Sequence, residues 1–197
     1  MLARTVLTLS LVVRIYDNVG VTNCDMTSAL AVAHAILKNA GIDVAWRQAQ
    51  VGQVGLVGQA GYDDGRVAPS ELIVRVVAAP PGSSPDSLGF SFVDTGTGSG
   101  TLATIFLDRV RALSARAGAN RGQLLGRAMA HEIGHLLLGT THHADRGLMR
   151  GVWRTIDLQK DQPLDWMLSA DEGARMRRAL ALRLLRTEPP AAIVAKQ

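Results

Sequence analysis

The chain has one cysteine, Cys24, in 197 residues. No intrachain disulfide can form, so packing, with any metal the protein binds, must hold the fold. Aromatic residues are scarce at 4%, which leaves Leu, Val, Ile and Ala to fill the core. No apolar run is long enough to span a membrane. The N-terminal segment MLARTVLTLSLVV places Arg4 ahead of an apolar stretch. Thr8, Ser10 and Arg14 interrupt or bound that stretch, and no small-x-small cleavage site follows. It is expected to be a strand, with a truncated export signal as the alternative. An acidic excess is also missing. Lys and Arg total 21 against 17 Asp and Glu, a net charge of +4. Much of the excess lies in Arg175, Arg177, Arg178, Arg183 and Arg186. No aromatic residues interleave with them as a single-strand nucleic-acid binder requires. They are expected on the solvated face of a helix, with no nucleic-acid partner.

The apolar fraction of 47% and the length suit one globular domain with a sizeable core. Val6 to Tyr16 is rich in β-branched and aliphatic residues and predicts a first strand. Leu30, Ala33, Ile36 and Leu37 follow helical spacing and predict a helix over 26–39, ended by Asn39-Ala40-Gly41. Ile42 to Trp46 alternates as a second strand, so the opening predicts a parallel β-α-β unit. Residues 51–68 are glycine-rich and ambiguous. Strands are predicted over 72–77 and 102–107, the second after the glycine-rich Thr95 to Gly100. A short helix is predicted over 108–117. Residues 140–168 show no strong periodicity. Ser169 with Glu172 forms a capping box that opens a terminal helix through Leu184, stopped by Pro189-Pro190.

The most specific signal lies at His131-Glu132-Ile133-Gly134-His135. This H-E-x-x-H run falls in an amphipathic helix predicted over 120–138, with Asn120 and Gln123 as a capping box. Residues i and i+4 of a helix share a face one turn apart, so both imidazoles can reach one Zn²⁺. Glu132 then stands where a carboxylate can take a proton from water. A catalytic zinc needs three protein ligands and an open position. His142 and His143 follow the helix end at Gly139, and either can complete the set.

The stretch HEIGHLLLGTTHHADRGLMRGVW resembles the metzincin zinc metallopeptidases, and particularly their matrixin-like branch. That pattern is H-E-x-x-H-x-x-G-x-x-H followed by a Met-turn. The resemblance implies a mixed α/β zincin-like fold: a twisted sheet with a backing helix, an active-site helix and a small C-terminal lobe with a terminal helix. It implies one catalytic domain over 1–197, with an upper lobe at 1–139 and a lower lobe at 140–197. His131, His135 and a downstream His become zinc ligands, Glu132 the base, and Met149 the Met-turn methionine beneath the site. Gly139 and His142 each lie one position later than the family spacing. Gly-x-x-His spacing favours His142, with His143 the competitor. The segment LGFSFVDTGTGSGTLATIFLDRV is similar to the matrixin stretch before the active helix, where a glycine-rich loop leads into the sheet's edge strand. That likeness implies that Ala103, Thr104 and Ile105 bind extended peptide by strand addition, against an ordinary edge strand as the alternative.

The tyrosine that some metzincins place near the Met-turn is expected to be absent, because Tyr16 and Tyr62 both lie far upstream. Trp153 follows the Met-turn, as a substrate-pocket wall or as a core indole. Cys24 lacks the motif around a zinc-blocking cysteine. Asp145, Asp157 and Glu172 are acidic candidates that a third histidine makes unnecessary. The expected function is a zinc-dependent endopeptidase acting on a peptide or protein substrate. A non-proteolytic zinc-site binding module is the second reading, and a nucleic-acid- or membrane-associated protein using the basic terminal helix is the third. Family resemblance favours a secreted or periplasmic location.

Overall fold

The structure, a computed structural model, describes residues 9–49 and 71–185. Strand β1 (Leu9–Asp17) leads into helix α1 (Asn23–Asn39) and strand β2 (Ile42–Ala49). Strands β3 (Glu71–Val77), β4 (Gly89–Asp94) and β5 (Ser99–Phe106) follow, then helices α2 (Leu107–Ala117) and α3 (Arg121–Leu138). A short helix α4 (Thr155–Lys160), a 3-10 turn at Pro163–Trp166 and the terminal helix α5 (Ala170–Leu185) complete the order. The glycine-rich 51–68, Arg186 and Pro189-Pro190 lie outside the described residues, as does the start of the first strand before Leu9.

The five strands form one mixed sheet in the order β2-β1-β3-β5-β4. β1 pairs in parallel with both β2 and β3, and β3 pairs in parallel with β5. The expected parallel β-α-β opening is therefore present. β4 alone runs antiparallel, joined to β5 by a tight turn, and among the described strands it forms one edge of the sheet, with β2 at the other. Alternation along the strands sends one set of side chains towards the helices. Leu11, Val13 and Ile15 of β1, Leu72, Val74 and Val76 of β3, and Ala103 and Ile105 of β5 are all buried. The opposite face carries polar pairs instead: Glu71 bonds Arg14 at 2.6 Å and Arg47 at 3.2 Å, and Arg75 donates to Thr104 at 2.7 Å.

Helix α3 differs from its expected amphipathic form, because nearly every residue from Gly122 to Leu137 is buried. A helix enclosed on all sides belongs at the centre of the protein. α1 packs directly against it, and the approach requires glycine. A Cβ on Gly126 would lie 2.4 Å from the Ala29 carbonyl oxygen. The ends of α3 are also fixed. Asn120 accepts from the Gln123 amide at the start, and Gly139 closes the helix at φ 65°. From α5, Arg183 donates to the Leu136 carbonyl at 3.1 Å and to that of Gly100 at 2.6 Å. Arg177 donates to the Ala40 carbonyl at 2.5 Å. Two of the terminal arginines thus serve backbone carbonyls. The capping box of α5 is complete, with Ser169 and Glu172 each bonding the other's amide. Among the described residues no helix is long and apolar enough to cross a membrane. Residues 140–168 hold two short helical turns that periodicity did not reveal, because each is too short to display a face.

Candidate metal centre

His131, Glu132 and His135 lie on the buried last turns of α3, at 7%, 6% and 5% exposure. The Nδ1 of each histidine lies against a backbone carbonyl, Leu148 at 2.9 Å for His131 and Thr140 at 2.8 Å for His135. A carbonyl only accepts, so each Nδ1 carries the proton and each Nε2 presents a lone pair. The two Nε2 atoms face each other at 3.0 Å. Two lone pairs at that distance repel unless a cation lies between them. A proton is a poor candidate: burial holds His131 down at about 3 and pushes His135 the same way. A metal fits better. Neighbouring ligand atoms of a tetrahedral zinc with bonds of about 2.0–2.1 Å are roughly 3.3 Å apart.

His143 completes the group. One nitrogen from each of His131, His135 and His143 lies within 4.8 Å of the other two. The His143 ring stacks on His131 at 5.3 Å and meets His135 edge-on at 4.9 Å. His142, the ligand favoured by Gly-x-x-His spacing, is not in the group. The reason is local. After the left-handed Gly139 the chain runs through Thr140 to His143, and Ala144 then bonds back to Met149, its amide 2.9 Å from that carbonyl. This return brings residue 143 to the metal side. Gly151 makes room for the ring, since a Cβ there would lie 3.0 Å from His143.

Met149 is 1% exposed and lies under the motif, where a Cβ on Gly134 would come within 2.6 Å of its sulfur. The preceding Leu148 is anchored by its amide, which donates to Met167 at 2.9 Å. That anchor holds the carbonyl that orients His131. Trp153 is half-buried beside the histidines. It lines the cavity at the site and meets His131 edge-on at 5.6 Å and Trp166 at 5.3 Å. Asp157 pairs with Arg154 and Glu172 caps α5, so neither faces the histidines.

Glu132 is held by a residue that sequence reasoning overlooked. Ser91 of β4 lies 2.7 Å from its Oε2 and 2.8 Å from its own carbonyl oxygen. The signal was present as the one polar position among Phe90, Phe92 and Val93, on the alternate that faces α3. Burial raises the Glu132 carboxyl to about 7, partly offset by the Ser91 hydrogen bond. The expectation for Ala103, Thr104 and Ile105 needs correction. They sit on β5, paired with Val74, Arg75 and Val76 on one side and with Ser91, Phe90 and Gly89 on the other. Their backbone groups are already engaged, and among the described residues the edge on this side of the sheet belongs to β4.

No family model matches the sequence, and no curated protein matches it. Solved structures do match. Metalloproteinase-II from Bacteroides fragilis aligns with a TM-score of 0.57 at 17% identity, covering 87% of this chain and 53% of that one. The chain thus spans about half the length of that protein. An archaemetzincin from Methanopyrus kandleri aligns with a TM-score of 0.53 at 13% identity, covering 92% of this chain and 99% of that one. The chain has a zinc-metallopeptidase-like fold. At such identities the likeness concerns the fold alone, and neither match supports the narrower matrixin-like branch.

Proposed function

We propose that the protein is a zinc-dependent endopeptidase of metzincin type, with His131, His135 and His143 as metal ligands and Glu132 as general base. The observation that carries this reading is the pair of Nε2 lone pairs facing each other at 3.0 Å, with His143 closing the triangle. Zinc held there supplies Lewis acidity, making water more acidic and a carbonyl carbon more electrophilic.

The chain's own residues do the rest. The Leu148 and Thr140 carbonyls fix the two helix-borne imidazoles in the tautomer that leaves Nε2 free to bind metal. Ser91 fixes Glu132 Oε2, while Oε1 lies over Gly89, where a Cβ would stand 3.3 Å away. Burial moves the Glu132 carboxyl up towards the neutral range, where a group can both take and give a proton. It can therefore take a proton from water and return it to the departing amine. An extended peptide would pair along the free edge of β4, beside Glu132, by strand addition. Met149 underlies the centre as the Met-turn methionine.

The test joins metal content to turnover. Purified protein should hold about one zinc, and Glu132→Gln should keep it while peptide hydrolysis drops by about 10²–10⁴-fold. Hydrolysis that survives Glu132→Gln removes the base. Zinc binding without hydrolysis by the parent protein would favour a non-proteolytic zinc module.

A further inference from the structure

A cavity of about 320 Å³ opens beside the three imidazoles, between the loop at 84–89, α2 and the segment 150–153. Three arginines line it: Arg109 and Arg116 from α2, and Arg150, which directly follows Met149. Besides Glu132, its one lining carboxylate is Asp86. The Arg150 side chain is 12% exposed and lies over Trp166 at 4.5 Å. Its Nη1 is 3.9 Å from Asp165, beyond hydrogen-bond reach. Its Nε and Nη2, and Nε of Arg109, are enclosed with almost no accessible surface, so the cavity meets other atoms of these side chains. Arg109 otherwise reaches the Ser83 carbonyl at 3.5 Å and lies 3.9 Å from Asp108.

The lining sets three arginines against Asp86 and Glu132, and a guanidinium fork matches a carboxylate in shape and charge. His131, Glu132 and His143 line the same cavity, so a group seated there lies next to the reacting centre. Leu113, Ala128 and Trp153 add apolar wall for the methylenes that carry such a group. We propose that this cavity receives a carboxylate of the substrate, drawn by the combined positive charge of Arg109, Arg116 and Arg150. The carboxylate belongs to an Asp or Glu side chain beside the bond being cut, or to a free chain end. The word substrate rests on the peptidase reading above, whereas the carboxylate site rests on the cavity.

Equilibrium binding tests it without turnover. Zinc-loaded Glu132→Gln protein is titrated calorimetrically with Ac-Ala-Ala-Glu-Ala-Ala-NH2, with its Gln counterpart, and with the Gln peptide bearing a free C-terminal carboxylate. The Glu peptide should bind about tenfold or more tightly than the Gln peptide. Arg150→Gln and Arg109→Gln should each shrink that advantage, and the two together should abolish most of it. Because Arg150 packs on Trp166, Arg109→Gln provides a second variant with less packing to lose, and melting curves check both. An advantage confined to the free-end peptide assigns the site to chain termini. Equal affinity for all three, or no binding by any, overturns the proposal. Preference without cleavage by the parent protein keeps the carboxylate site and removes the peptidase reading. Cleavage without preference does the reverse.

Discussion

The candidate centre has two halves that are held in different ways. His131, Glu132 and His135 stand on α3, a helix enclosed on every side and fixed at both ends. His143, Met149 and Arg150 come from a loop whose shape depends on a few bonds, chiefly Ala144 to Met149 and Leu148 to Met167. His143 is exposed where the helix-borne pair is buried. Regular structure fixes the relative position of residues four apart with no help from elsewhere. A loop ligand is fixed by partners distant in sequence, so its number along the chain does not reveal its place.

The sharpest way to break this comparison is to remove each loop histidine in turn. His143→Ala should lower zinc affinity by more than about 100-fold, exceeding the usual cost of losing a residue that merely orients a ligand. His142→Ala should stay near the parent value. Competition with a chromophoric chelator measures both, and the opposite ranking would mean that the loop is shaped differently.

A second measurement isolates the helix-borne half in metal-free protein. Unfolded His131 takes up a proton below its ordinary 6.5, whereas the folded group resists protonation down to about 3. Stability from this residue is therefore lost as pH falls through that window. Glu132 has the opposite sign. Folded, it stays protonated up to about 7, whereas unfolded it ionises from 4.5, so stability is lost as pH rises between those values. Glu132→Gln removes the second effect. Above pH 7 the variant should be more stable than the parent, by up to about 3 kcal/mol in urea unfolding with chelator present. An unchanged pH profile would sink this account of the buried carboxyl.

A third contrast sets Gly126 against Gly134. Gly126→Ala drives a methyl into the rigid Ala29 carbonyl and should cost about 1–3 kcal/mol. Gly134→Ala meets the flexible Met149 side chain, which can yield, so its cost should be smaller. Thermal melts rank them, and equal losses would mean that the loop under the motif is as unyielding as the helix-helix contact. The smallest effect belongs to Ser91→Ala. Its hydrogen bond holds the Glu132 carboxyl below where burial alone would put it. Losing the bond should move the acid limb of the pH-rate profile upward by somewhat under one pH unit, the equivalent of about 1 kcal/mol. A downward shift would contradict that role for Ser91.

These contrasts also explain what could be read from the sequence. The β-α-β opening, α3 with its caps and the terminal helix were legible because periodicity and capping residues act locally. The H-E-x-x-H pair was legible for the same reason. Three features were not. The sequence offered His142 and His143 as alternatives, and what separates them is a return of chain anchored at Met167. The free edge passed from β5 to β4 because pairing partners lie up to tens of residues away, and a strand's own sequence does not say how many neighbours it has. Ser91 acts on a helix 41 residues further on, and nothing in its own neighbourhood announces that contact.

The Ser91 hydroxyl has one hydrogen and two acceptors within reach, the carboxylate and the main-chain oxygen of the same glutamate. While Glu132 is ionised, that hydrogen can point at the carboxylate. Once Glu132 holds a proton, the carboxyl can donate to the serine oxygen and the hydroxyl can turn to the carbonyl. Both charge states are then satisfied by a rotation of one hydrogen, with no heavy atom displaced. In the proposed role of base, Glu132 could be loaded and emptied in every cycle while the strand that would carry the peptide stays where it is.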